Sequence, residues 1–460
     1  MNDYKAALNL AHQESLRFLE ALRDSPADAE IDQATARSRL VTDLPDTGLP
    51  DEDVIAELIT AAKGGIPRQA GGRFFGFVMG GIHPAGVAAD WLSSAWDDAP
   101  GTPLAAPFGC AVDRLAGEWA LDLMDLPREA SVGIVTGATM GNFVGACAAR
   151  HALLRHEGWD VEAQGLFGAP EIHVVTGDAH PTMLLALRMA GFGAARRHIV
   201  PLTEDGAIRA DALAEVLAGL EGPILICSQA GHINTSAFDP FPEICALAKE
   251  HGAWVHVDGA FGLWAQASPA LRHLTKGVEL ADSWSVDAHK LLNTPYDGAF
   301  AIVRDRDAHA GAMSLAASYL PQQEGARDPS HFVPELSRRA RGTAIYATIR
   351  KLGRQGVADA IEKLCANTKL MAELLTAEDG ITCLNDVVFN QAVFSFEGAS
   401  PDDVALTVRQ SGEAWVQAAD WQGQRIMRCS VADHSTTEED VERAASAIIN
   451  AYRELARKYA

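Results

Sequence analysis

The stretch Ser283-Trp-Ser-Val-Asp-Ala-His-Lys-Leu-Leu-Asn-Thr-Pro-Tyr-Asp297 decides how this 460-residue chain is read. It opens as a short apolar strand and arrives at His289 and Lys290. Ahead of it, Trp254-Val-His-Val-Asp-Gly-Ala260 is another apolar strand, ending on Asp258. A strand that ends on Asp-Gly-Ala, followed by one that ends on His-Lys, suggests imine chemistry. A lysine amine condenses with an aldehyde cofactor, and a carboxylate stands where a ring nitrogen needs a counter-charge. Lys290 is read as the amine and Asp258 as the counter-charge. Each residue alone has a plainer reading, since most lysines are solvated and an Asp after a strand is commonly a turn former.

Outward from these strands, the chain alternates. Short apolar runs at Val132–Val135, Glu171–Val175, Ile199–Leu202, Ile224–Cys227 and Ala299–Val303 read as further strands. Helical spacing fills the gaps at Phe143–His156, Thr182–Ala190, Asp211–Leu217 and Pro242–His251. Such alternation predicts an α/β fold, a mainly parallel sheet with helices on both faces. Ligands in these sheets sit beyond the carboxyl ends of the strands. After Arg338 the pattern becomes a smaller C-terminal α+β domain. It has a helix at Thr343–Leu374, strands at Val387–Phe396 and Ile426–Ser430, and a closing helix at Thr437–Tyr459. The start of that last helix, Ser435-Thr-Thr-Glu-Glu, resembles a capping box. Residues 1–70 read as a helical arm without a core of its own, packed on another subunit or on its own chain. The α/β domain then covers 71–342 and the small domain 343–460.

The strand-ending positions gather chemistry. Thr136-Gly-Ala-Thr-Met-Gly-Asn142 is a strand, a glycine turn and a helix start, where free N–H groups and the helix dipole attract an anion. Ala138 and Thr139 are nearest, with the Thr139 hydroxyl as an added donor. His180 follows a strand and precedes a proline. It either stacks on a flat ring or serves as a helix-capping or solvated histidine. Ala260 is small enough for a ring to lie beside it. His289 is placed to meet a phosphate or a substrate carboxylate, and Asp287 to orient the phosphate through backbone or water. The run Gly71–Gly86 is rich in glycine and aromatic residues, which lets it line an apolar pocket or form a buried loop.

The totals narrow the partners. Sixty-one acids against 38 Lys and Arg give a formal charge of -23, which disfavours nucleic acid and anionic membranes as partners, since both need a basic face. Seven cysteines include no Cys-x-x-Cys pair, so no metal site is expected, and they read as reduced core thiols of a cytoplasmic protein. No secretory leader is visible, and no apolar run reaches the ~20 residues of a membrane helix.

Taken in order, these motifs resemble the group II pyridoxal-phosphate decarboxylases, which include the aromatic-L-amino-acid and glutamate enzymes. The resemblance runs from about Phe74 to the C-terminus. It rests on Thr136–Asn142, Asp178-Ala-His180, Ala237-Phe-Asp-Pro240, His256-Val-Asp-Gly-Ala260, Asp287-Ala-His-Lys290 and Leu336-Ser-Arg-Arg-Ala-Arg341. It implies a fold-type I, aminotransferase-like homodimer with its active site at the subunit interface, an amino acid as substrate and pyridoxal 5'-phosphate as cofactor. By position, Lys290 resembles the imine lysine, Asp258 the ring-nitrogen partner and His180 the stacking histidine. Phe75, Phe77, Val78 and Met79 resemble the substrate-pocket stretch. Arg428 falls where related folds hold a carboxylate-binding arginine, or else forms a salt bridge.

The chain also departs from that family. Met140 replaces a frequent glutamate, and Gly231-His232-Ile233 replaces Gly-Thr-Thr. The loop Arg327-Asp-Pro-Ser-His-Phe-Val-Pro334 lacks the family's tyrosine, leaving His331 as the proton donor in view. The expected reaction is decarboxylation of an L-amino acid, with Phe75 and Phe77 weakly favouring an aromatic or apolar side chain. The rivals are an aldehyde synthase or carbon–carbon lyase of the same fold, and a non-enzymatic scaffold with a degenerate site.

Overall fold

The computed structural model describes residues 4–315 and 328–459. Arg327, at the start of the loop discussed above, lies outside the described residues. The described chain forms two compact units.

The larger unit comprises residues 80–366 and 385–391. Its seven strands are β1 (Ser131–Val135), β2 (His173–Thr176), β3 (Arg197–Ile199), β4 (Ile224–Gln229), β5 (Trp254–Asp258), β6 (Ser283–Asp287) and β7 (Ala299–Val303). They form one sheet in the order β1-β7-β6-β5-β4-β2-β3, parallel from β6 through β3, with β7 antiparallel to both of its neighbours. Every residue of β1, β5, β6 and β7 is buried. These strands are covered on both faces, which is why they read as continuous apolar runs rather than alternating ones.

The helix Ala138–His156 packs on β5, β6 and β7 and against the helices Pro181–Met189 and Arg306–Met313. It is buried along most of its length, with Arg155 and His156 exposed in its last turn. Gly141 and Gly145 let it approach the sheet closely. A Cβ at Gly141 would lie 2.8 Å from Ser285 Cβ, and one at Gly145 would lie 2.4 Å from the His256 ring.

Several strand boundaries differ from the sequence reading, including the end of β4 at Gln229 rather than Cys227. β2 begins at His173 rather than Glu171. β3 is Arg197–Ile199 rather than Ile199–Leu202, because pairing with β2 runs from Arg197 to Ile199, and Leu202 instead bridges Ile208. The later strand starts at Gln391, with residues 385–390 irregular and turned by the Val388 N–H donating to the Asp386 carbonyl.

The smaller unit comprises residues 4–79, 367–384 and 392–459. Its sheet joins β8 (Ile381–Cys383), β9 (Gln391–Phe396), β10 (Gln417–Trp421) and β11 (Gln424–Ser430) in the order β10-β11-β9-β8. The closing helix, Glu438–Tyr459, has its capping box two residues beyond the expected start at Ser435. Thr437 Oγ1 accepts from the Asp440 N–H, and Asp440 Oδ2 accepts from the Thr437 N–H and hydroxyl. An acid at the third helical position suits the box as Glu438 does not.

The glycine–aromatic run enters this unit. Phe75 and Val78 are buried, while Phe77 is exposed and has a positive φ of 52°. Phe74 stacks on Trp415 at 4.5 Å, and a Cβ at Gly76 would overlap that indole at 1.9 Å. Met79, the last residue of this unit's first segment, is half-buried. Arg428 is buried on β11, where desolvation pushes its guanidinium down to about 10. All seven cysteines are unbridged, and five are buried. No helix among the described residues is long and apolar enough to cross a membrane, and no metal-ligating cluster occurs among them.

Candidate active site

The carboxyl ends of β1, β2, β4, β5 and β6 converge on a cavity of about 340 Å³ in the larger unit, lined among others by Thr139, His180, Asp258, Ala260, His289 and Lys290. That volume lies within the range of small-ligand sites. Every predicted site residue of this unit except His331 contributes to the lining, including Ala138 and Asp287. His331 sits on the turn Pro329–Phe332, which packs on β1, and is not among the lining residues. That turn is anchored by Phe332, whose buried ring and carbonyl face His309. The packing follows from Gly133 on β1, where a Cβ would strike the Phe332 carbonyl. Phe75, Phe77, Val78, Met79 and Arg428 belong to the smaller unit.

Asp258 ends β5. Its Oδ2 accepts from Asn142 Nδ2 at 2.9 Å, and its Oδ1 accepts from the Ala260 N–H at 3.2 Å. A carboxylate this enclosed is costly unless such donors meet it. Asp287 ends β6 and is equally enclosed. Its Oδ1 accepts from the Ala138 N–H at 2.6 Å, and its Oδ2 lies 3.0 Å from Lys290 Nζ. Ala138, expected as an anion donor, therefore gives its N–H to an internal acid. The helix start attracts an anion as the sequence suggests, and the anion it holds is the Asp287 side chain.

His289 lies flat against Tyr296, their ring centroids 4.2 Å apart. Its Nδ1 accepts from the Gly298 N–H at 3.3 Å, which leaves the proton of the neutral ring on Nε2, 3.5 Å from Asp287 Oδ1. Burial depresses the His289 pKa, and the opposing pull of Asp287 is weaker. Tyr296 keeps half of its surface open, yet desolvation and then the Asp287 charge push its phenol up to about 12.

His180 takes the helix-capping role weighed for it and also borders the cavity. It caps the helix Pro181–Met189, with Nδ1 accepting from the Thr182 N–H at 3.3 Å and lying 2.7 Å from the Thr182 hydroxyl, and its side chain lines the cavity.

Sequence reading missed Asn142, Thr182, Gln229, Phe261 and Tyr296 as site-forming residues. Asn142 closes the quoted glycine turn. Its signal is an amide inside an otherwise apolar helix, matched by polar His256, Ser283 and Ser285 on strands that are otherwise apolar. His232 turns away from the cavity toward Asp178, 3.3 Å distant, and this contact holds the Asp178 carboxyl below its usual range.

A half-buried lysine beside an acid, a second acid at a neighbouring strand end and a helix start on the same cavity define a fold-type I enzyme of the aminotransferase-like class. The sequence profile described as "Pyridoxal-dependent decarboxylase conserved domain" matches residues 35–397, and the chain belongs to that family. Tryptophan decarboxylase 1 of Oryza sativa subsp. japonica is 27% identical over 401 residues, covering 82% of this chain and 77% of that protein. Phenylacetaldehyde synthase of Arabidopsis thaliana is 22% identical over 456 residues, covering 93% and 91%. The crystal structure of Oryza sativa TDC with PLP and tryptamine superposes with a TM-score of 0.90 over 98% of both chains at 24% identity. The chain is thus a pyridoxal-phosphate-dependent amino acid decarboxylase. The donor set fits that cofactor, because one cavity offers an amine, a carboxylate, two imidazoles and a small-residue wall at Ala260.

Proposed function

We propose that the chain decarboxylates an aromatic L-amino acid, with Lys290 as the cofactor's covalent anchor and Asp258 as the partner of its ring nitrogen. The observation that carries this is the shared cavity of Lys290 and Asp258. When bound, pyridoxal phosphate supplies an aldehyde for amine capture and a ring that takes up the electron pair left by departing carbon dioxide.

The chain's own residues do the rest. Asp258, fixed by Asn142 and Ala260, holds a proton on the ring nitrogen. His180 presents a flat imidazole, and Ala260 leaves room opposite a ring. Thr136, Gly137 and Thr139 hold the phosphate at the helix start, beside the N–H already committed to Asp287. Asp287 keeps Lys290 Nζ in place through their 3.0 Å contact. Ile233, Phe261 and Tyr296 give the cavity apolar surface that suits an aromatic side chain. Tyr296 Oη retains its proton across the physiological range.

The functional unit is read as a homodimer. The helices Pro84–Trp96 and Pro107–Leu123 of the larger unit expose Trp91, Leu92, Trp96 and Phe108, with Trp96 edge-on to Phe108 at 5.5 Å. Clustered exposed aromatics of this kind mark an association surface.

The test is to supply aromatic L-amino acids to the cofactor-loaded protein and measure carbon dioxide, amine, aldehyde and peroxide together. Amine with carbon dioxide and no peroxide is expected. Turnover by Lys290→Ala at the normal rate would refute the assignment. A second reading, aldehyde formation, is favoured by the lack of a tyrosine in the stretch around Pro329 and Phe332, near the place of the family's loop tyrosine, and by the phenylacetaldehyde synthase relative. Aldehyde and peroxide in equal amounts would establish it instead.

A further inference from the structure

Behind Asp258 lies a buried polar chain. The Trp254 indole N–H donates to Ser283 Oγ at 2.9 Å. Ser283 Oγ is 2.8 Å from His256 Nδ1. His256 Nε2 is 2.9 Å from Asn142 Oδ1, which also accepts from the Ser285 hydroxyl at 2.5 Å. Asn142 Nδ2 then reaches Asp258 Oδ2. Asn142, His256, Ser283 and Ser285 have no exposed surface.

The direction of the chain is fixed from both ends. An indole N–H is a donor only, so Ser283 Oγ accepts from it and has its own hydrogen to give onward. At the other end a carboxylate only accepts, so Asn142 turns its NH₂ to Asp258 and its oxygen to His256. His256 Nε2 must therefore carry a proton, and a neutral ring then takes the Ser283 hydrogen on Nδ1. Both ends give the same answer, and every hydrogen in the series points toward Asp258.

We infer that Asn142 and His256 are positioning residues that aim Asp258 into the cavity through this one-way chain, and that it operates with His256 neutral and protonated on Nε2. The inference rests on the reading of Asp258 as the ring-nitrogen partner, and it explains two features that reading leaves unused. The first is a histidine and two serines on strands that are otherwise apolar. The second is glycine at 145, where any side chain would displace the His256 ring. Without the Asn142 donor, Asp258 keeps the Ala260 N–H on Oδ1 and loses its partner on Oδ2.

The test uses the full-length protein with pyridoxal 5'-phosphate as the probe. Asn142→Leu removes the donor at similar volume, and its affinity for the cofactor is expected to fall at least about tenfold. His256→Leu is expected to behave likewise. His256→Gln places an amide N–H near the position of Nε2 and an oxygen to accept from Ser283, and is expected to restore wild-type affinity. In the wild type, ¹⁵N spectra of labelled histidines, with the His256 signal identified by its loss in His256→Gln, are expected to show a protonated Nε2 and a bare Nδ1.

Wild-type affinity in Asn142→Leu, alongside a loss in Asp258→Ala, would overturn the inference and leave the ring-nitrogen assignment standing. Wild-type affinity in Asp258→Ala as well would overturn that assignment. A His256 ring protonated on Nδ1 would overturn the inference without any folding assay. Failure of His256→Gln to outperform His256→Leu would do the same.

Discussion

At the scale of single residues, His256 carries a consequence for pH. Burial depresses its pKa to about 4, although the nearby Asp258 charge acts in the opposite sense. His83 is likewise depressed to about 4, by burial first and then by Lys351. The unfolded chain therefore takes up these protons before the folded one does. The stability linked to each ring is complete above the unfolded value near 6.5 and is lost as pH falls toward 4. Each ring contributes at most on the order of 3 kcal/mol. Urea unfolding at pH 7.5 and at pH 5 is expected to show a marked drop at the lower value, and a smaller drop in His256→Gln. Equal drops in the two proteins would count against the assignment.

Lys290 and Asp258 were legible at this scale because strand-ending polar residues stand out in apolar runs. Asn142 was not, because its role depends on two strands more than a hundred residues away. Asp287 was half legible. Its place among the cavity's polar residues was visible, but its possession of the Ala138 N–H depends on register that only the folded sheet sets.

Among the elements, the helix Ala138–His156 shows how closely glycine lets a helix sit on a sheet. Gly145→Ala places a methyl 2.4 Å from a ring bonded at both nitrogens. A destabilisation of about 1–3 kcal/mol is expected from overpacking of this kind, read as a lower melting temperature. Gly219→Ala is the control, since the nearest atom to its added methyl is 3.6 Å away and its φ of -93° suits any residue. Its melting temperature is expected to match the wild type.

The central strands were located because burial on both faces keeps most of their residues apolar. The edge strand β3 and the start of β9 were misplaced for the opposite reason. Their ends are set by pairing partners and turns, which leave little trace in composition. The capping box moved because the sequence offers several hydroxyl–acid pairs and only the folded turn selects Thr437 and Asp440.

For the whole molecule, the exposed face of Trp91, Leu92, Trp96 and Phe108 gives a test of assembly. Sedimentation is expected to find about twice the 49.0 kDa chain mass in the wild type. Trp96→Glu places a charge in the middle of that face and is expected to shift the protein toward the monomer. Persistence of the dimer in this variant would move the interface elsewhere.

The thiols offer a different use of the fold. Burial pushes Cys147 up to about 11 and Cys110, Cys245 and Cys429 up to about 12, and it raises Cys227 further still. Reagents such as iodoacetamide attack the thiolate, so at neutral pH these sulfurs stay silent while the chain is folded. Alkylation counted by mass spectrometry over time then becomes a clock for opening, with tags in both units and no engineered label.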